Sequence, residues 1–355
     1  MEYEISDKRL PADFKGETFS KFKKSQVKNE IINSLMAEKI EPACYWAAEL
    51  ICAGHYPDLW ETIILFTSKH IHLGNPKLPI YLALRFKNFK DIVCNGYAAN
   101  ELQLRNNPKI RHLFAELISV LCHSRKKHSF EAVKINKEDD FILSTMATRL
   151  IAPSINYANE IFRSDDPKEL YIAMNELAYH ITSESKNVVS ACYWLEWILE
   201  FELTCKANNE KCVCEYRTFA PVDTKYQNDI VWIIWEVILH EAKKRPNRLV
   251  LEKILTALME IFSIKYSAGV KRRRKYVIYF AVALLTEPVD YSVEIIQNKQ
   301  KIDSVVKKIA IIYKDIKKNE ISPETDYLFH GLKEQSSFDK TIERLEKMNE
   351  LLGEN

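Results

Sequence analysis

The chain has 355 residues, a formal net charge of +2, 47% hydrophobic and 28% charged residues and 11% aromatic residues. That is too apolar and aromatic for a disordered chain, and the near-neutral balance means that attraction to nucleic acid or an anionic membrane has to come from local patches. Glycine occurs only seven times and Asn95-Gly96 is the one turn dipeptide of its kind, which excludes hairpin-rich folds and leaves an all-α reading.

The length allows two or three domains of roughly 100 to 200 residues each. Residues 1–25 are polar with scattered lysines and read as an arm, extended or in a short helix, lying on the body. They lack the apolar core of a signal peptide, and the longest apolar runs, such as 231–239, fall far short of a membrane span. The expectation is an intracellular protein, in cytoplasm, nucleus or an assembled particle, and not a secreted one. Five of the eight cysteines sit in apolar helical stretches and read as reduced thiols serving as small hydrophobes.

Helical periodicity begins near Gln26, with Val27, Ile31, Ile32 and Leu35 on one face, and resumes with Cys44, Trp46, Ala47, Leu50 and Ile51. Gly54 and Pro57 break this second helix, and Asp58 reads as the N-cap of a third that carries Leu59, Ile63, Ile64 and Phe66 and stops at Gly74-Asn75-Pro76. Further helices are expected over 78–89, 109–122, 138–150, 170–181 and 249–262. Beyond Pro288 a charged tail shows helical spacing over 302–316 and 338–352.

Internal similarity organises these helices. Ala43-Cys44-Tyr45-Trp46 recurs 148 positions later as Ala191-Cys192-Tyr193-Trp194. Asp58, Ile63, Ile64 and His70 are echoed by Asp229, Ile233, Ile234 and His240, and Pro76 by Pro246. The second set is offset by 22 residues more, which places an insertion over 204–227. Both halves continue with an apolar helix and then a basic cluster: Arg125, Lys126 and Lys127 with His128, and Lys271, Arg272, Arg273, Arg274 and Lys275. The expected layout is an arm (1–25), two tandem diverged helical repeats (26–150 and 151–290) and a charged helical tail (291–355).

Candidate chemistry is sparse. Cys205, Cys212 and Cys214 form a C-x6-C-x-C pattern in the insertion, the one place where thiolates could hold a structural zinc, which would need a fourth ligand from elsewhere. His70 and His72 mimic a ligand pair, but two positions apart on a helix they point to different faces. Asp139, Asp140, Glu196 and Glu200 read as solvated helix charges. Tyr45, Trp46, Trp60, Tyr193, Trp194, Trp197, Trp232 and Trp235 read as core or interface residues before base-stacking platforms. No phosphate-binding glycine loop, zinc-protease helix or nucleophile elbow occurs. The two basic clusters are candidate phosphate contacts on DNA or RNA.

The stretch Ala43-Cys44-Tyr45-Trp46-Ala47-Ala48, with Gly54-His55-Tyr56-Pro57, Phe66-Thr67-Ser68 and Gly74-Asn75-Pro76, resembles the C-terminal helical collar of clamp-loader-related AAA+ ATPases of the Werner-helicase-interacting type. The likeness covers residues 43–83, lacks the ATPase module and transfers no catalytic residue. It implies a helical packing unit suited to self-association. The Lys/Asn/Ile-rich style, with Lys77-Leu78-Pro79-Ile80 and Asn106-Asn107-Pro108-Lys109, also resembles uncharacterised proteins of nucleocytoplasmic large DNA viruses. The leading expectation is therefore a non-enzymatic scaffold with a protein partner or self-association, no cofactor beyond that zinc, and no small-molecule substrate. The alternative is a replication or transcription accessory that binds nucleic acid.

Overall fold

The computed structural model describes residues 3–98 and 100–321, so the expected helix at 338–352 lies outside the described residues. The architecture is all-helical. The first half holds α1 (Lys24–Met36), α2 (Ile40–Cys52), α3 (Tyr56–Leu65), α4 (Leu78–Cys94) and α5 (Pro108–His123), followed by the short α6 (Lys137–Asp140) and α7 (Leu143–Thr148). The second half holds α8 (Tyr171–His180), α9 (Val188–Ala207), α10 (Val231–Lys243), α11 (Arg248–Phe262), α12 (Val270–Arg273) and α13 (Lys275–Thr286), and α14 (Lys299–Lys317) follows. Among the described residues there is no strand, only an isolated bridge between Glu17 and Lys23.

Three local expectations are corrected. Pro57 does not end α2 but sits in the first turn of α3, where a residue without an N–H costs no helical hydrogen bond. Asp58 is consequently inside the helix, not its cap, and binds Lys24 (3.0 Å) and Lys28 (3.1 Å) of α1 instead. The helix expected over 138–150 is split into α6 and α7. Trp197 donates its indole N–H to the Asp140 carbonyl (3.0 Å), and the Asp140 carboxylate accepts from the Asn136 N–H and the Tyr193 hydroxyl (both 2.8 Å), which draws that turn inward.

One continuous core runs from Ile5 to Ile316 through both halves. In the first half α1 packs on α2 and α3, and α5 on α2 and α4; in the second, α8 packs on α9 and α10, and α13 on α9 and α11. Across the seam α4 packs on α11, while α13, buried from Val277 to Thr286, also meets α3 and the turns that follow it. A helix apolar all round belongs at the centre, and α13 is there.

The outer segments are packed as well. In the arm, Ile5, Phe14 and Phe19 are buried, and the Arg9 guanidinium lies 4.7 and 4.6 Å from the two phenyl rings. Buried Glu49 of α2 accepts from the Thr18 hydroxyl (2.9 Å), the Ser20 N–H (2.9 Å) and the Ser20 hydroxyl (2.5 Å). The Lys8 N–H donates to the Ile321 carbonyl (3.1 Å), so the arm also touches the chain beyond α14. α14 itself lies on α2 and α5 through Ile302, Ile309, Tyr313 and Ile316.

Candidate functional site

Residues 124–130 form a strap over the end of the third helix. After α3 the chain widens into a π-helical turn (Phe66–Ile71) and a 3-10 turn (His72–Gly74). The Lys127 N–H donates to the Ile71 carbonyl (3.2 Å) and the Ser129 N–H to the Lys69 carbonyl (2.8 Å). Gly74 permits this approach, because a Cβ there would run into the Arg125 carbonyl.

The strap carries the first basic cluster. Lys126 donates to the Cys122 carbonyl (2.5 Å) and pairs with Glu38 (3.0 Å), and Lys127 pairs with Glu287 (2.8 Å) at the end of α13. In the second cluster buried Lys271 joins Asp229 (2.8 Å) and Glu202, while the Tyr266 hydroxyl donates to Asp229 (2.9 Å). Arg272 pairs with Glu200 (2.6 Å) and Lys275 with Glu196 (2.9 Å). Buried Arg274 reaches Glu61 of α3 (2.5 Å) and the carbonyls of Phe262 (2.6 Å) and Ile264 (2.7 Å).

Six of these eight cations thus hold parts of the molecule together. Arg125 and Arg273 are exposed and have no carboxylate within 4 Å among the described residues. Three carboxylates read as solvated are not: Asp140 is buried, Glu196 also accepts from the Tyr279 hydroxyl (2.6 Å), and Glu200 binds Lys137 (2.8 Å) besides Arg272. Their partners lie on other elements, where spacing along one helix gives no sign of them.

The cysteine pattern is also rearranged. Cys205 belongs to the last turn of α9, which runs to Ala207, and is not in a loop. Its thiol neighbours that of Cys212, whereas the Cys214 thiol donates to the Asp229 carbonyl (3.3 Å). Among the described residues no group of three or more His, Cys, Asp or Glu is placed to hold a metal ion. What fixes this segment is Arg217, which the sequence does not signal. Fully buried, it forms a two-pronged pair with Asp166 (2.9 and 2.6 Å) and donates to Glu236 (2.6 Å) and the Glu215 carbonyl (2.9 Å).

Of the two histidines, His70 faces His128 on the strap, their Nδ1 atoms 3.2 Å apart. Burial, then His128 and Lys69, hold the His70 pKa down to about 4. His72 is 2% exposed, lies tilted against Phe280 of α13 with ring centroids 4.8 Å apart, adopts a positive φ of 46° and has no hydrogen-bond partner for either ring nitrogen.

A cleft of about 560 Å³ lies at the seam, between α3 and α4 on one side and the end of α11 with Pro221 on the other. Its wall is aromatic: Trp60 stands edge-on to Phe86 (5.0 Å) and near Phe89 (5.8 Å), which meets Tyr56 (5.5 Å). No family model, no curated protein and no solved structure matches this chain. The functional reading therefore rests on the geometry. Tyr45 and Trp46 are half-buried, while Trp60, Tyr193, Trp194, Trp197, Trp232 and Trp235 are buried in the core, as their helical placement implied. Among the described residues no helix is long and apolar enough to cross a membrane.

Proposed function

We propose that the chain is a non-enzymatic helical scaffold or assembly protein that acts through protein contacts, built from two diverged copies of one unit in which α1 to α5 correspond to α8 to α13. The observation that carries this reading is a run of exposed apolar residues along the connection between the halves. Ile142, Leu143, Leu150, Ile151 and Ile155 are all exposed, Leu143 at 82%, and none of α7 is buried. Ile151 shares a depression with Val189 at the start of α9, itself 58% exposed. Single exposed apolar residues need no explanation, but a run of them on one connection is the mark of a surface that a partner covers. A place on a virus particle or a replication complex is part of this reading and rests on the two resemblances alone.

The test is light scattering of the full chain over a wide concentration range, with Leu143→Glu/Ile155→Glu beside it. An assembly larger than the 41.5 kDa chain that falls to that mass in the variant supports the scaffold. A chain that stays at 41.5 kDa throughout and retains no protein partner refutes it.

A second reading, contact with nucleic acid, is favoured by α14. Lys299, Lys301, Lys307 and Lys308 are exposed there and have no ion-pair partner among the described residues. Binding to DNA or RNA that weakens with salt at a slope of about −0.9 per neutralised phosphate on duplex DNA, and that is lost when these four are reversed to Glu, is the outcome it requires.

A further inference from the structure

The seam cleft has features that a docking face for another folded protein does not need. It is a depression of about 560 Å³ between α3 and α4 and the end of α11, within the range of small-molecule sites. Phe86, Phe89, Trp60 and Tyr56 form an apolar wall suited to a flat ring system.

The polar groups around that wall favour an acceptor. Lys87 and Lys90 stand one helical turn apart on the exposed face of α4, and Lys265 faces them from beyond α11. Of the three carboxylates present, Glu61 is neutralised by Arg274, which leaves Glu101 and Glu260 against three lysines. The Tyr56 hydroxyl and the Trp60 indole N–H are buried behind this wall and out of reach from the cleft, so the lysines supply its accessible cationic donors.

We propose that the seam cleft is a binding site for a small amphipathic anion, a flat apolar body carrying one acidic group. The body lies against Trp60, Phe86 and Phe89, and the acid faces Lys87, Lys90 and Lys265. This goes beyond the scaffold reading and does not depend on it. Because the cleft takes one wall from each half, its occupant would also tie α4 to α11 across the seam.

The experiment uses the full-length protein and two probes with the same kind of aromatic body: 8-anilinonaphthalene-1-sulfonate, which is anionic, and N-phenyl-1-naphthylamine, which is neutral. The expected result is one saturable site for the anilinonaphthalene sulfonate with energy transfer from tryptophan, and at least fivefold weaker binding of the naphthylamine. Lys87→Glu/Lys90→Glu, on the exposed face of α4, should weaken the sulfonate at least tenfold, and Phe86→Asp should abolish it. Cys94, an exposed thiol on the lip of the cleft, should be alkylated more slowly when the probe is bound. Circular dichroism checks that each variant is folded; if Phe86→Asp is not, the exposed lysine pair still decides. No saturable site, equal binding of the two probes, or sulfonate binding unchanged in the lysine variant overturns the proposal.

Discussion

His72 offers a direct test of how the seam is held. Its ring is buried between the turn after α3 and Phe280 of α13, with both nitrogens unpartnered. Burial first and the nearby Lys127 charge second push its pKa from 6.5 to about 4. The folded protein thus keeps the ring neutral while the unfolded chain protonates it near its ordinary pKa. Stability from this group is fully present above 6.5 and is lost as pH falls through that value toward 4. Going from about pH 7.5 to about pH 4.5 costs about 2.5 kcal/mol through this residue alone, from the difference between the two proton-binding curves. Urea unfolding followed by tryptophan fluorescence, on the wild type and on His72→Phe at both pH values, isolates that quantity. His70 and every carboxylate titrate alike in the two proteins and cancel in the difference. The wild type should lose about 2.5 kcal/mol more than the variant on acidification. A stability difference that is the same at both pH values refutes the reasoning.

Other expectations follow from the packing. Arg217→Met leaves Asp166 buried and unpaired, and should cost about 3 to 5 kcal/mol in urea unfolding. Proteolysis within 204–227 should speed up in the same variant, since the pair with Asp166 and the bond to Glu236 fix that segment. Gly74→Ala forces the strap off its seat and should cost about 1 to 3 kcal/mol, read as a fall in melting temperature. Dithionitrobenzoate should find one fast thiol, Cys94; burial raises Cys44 and Cys214 to about 12 and Cys122 to about 11, so these should react only after unfolding.

The helices were legible because apolar spacing is local: Val27, Ile31 and Leu35 lie on one face of α1, and Ala47, Leu50 and Ile51 are buried in α2 as their spacing implied. What the sequence did not reveal is set by partners far away along the chain. Arg217 and Asp166 are separated by 51 residues, and Arg274 and Glu61 by 213. A run of cations such as Lys271 to Lys275 looks solvated until the carboxylates that face it are known. The same holds for the seam cleft, whose aromatic wall reads simply as helix core within α3 and α4. Its open side is made by α11, which no local pattern places beside them.

The position of α14 has a consequence for biosynthesis. The groove between α2 and α5 is complete as soon as residue 123 has been made, yet the helix that covers it ends at residue 317. At about 5 to 20 residues per second, a ribosome leaves that apolar groove uncovered for roughly ten to forty seconds, with α13 arriving only shortly before α14. The nascent first half is therefore a natural client for chaperones during this interval, and slower translation over residues 124–317 would lengthen its exposure to aggregation.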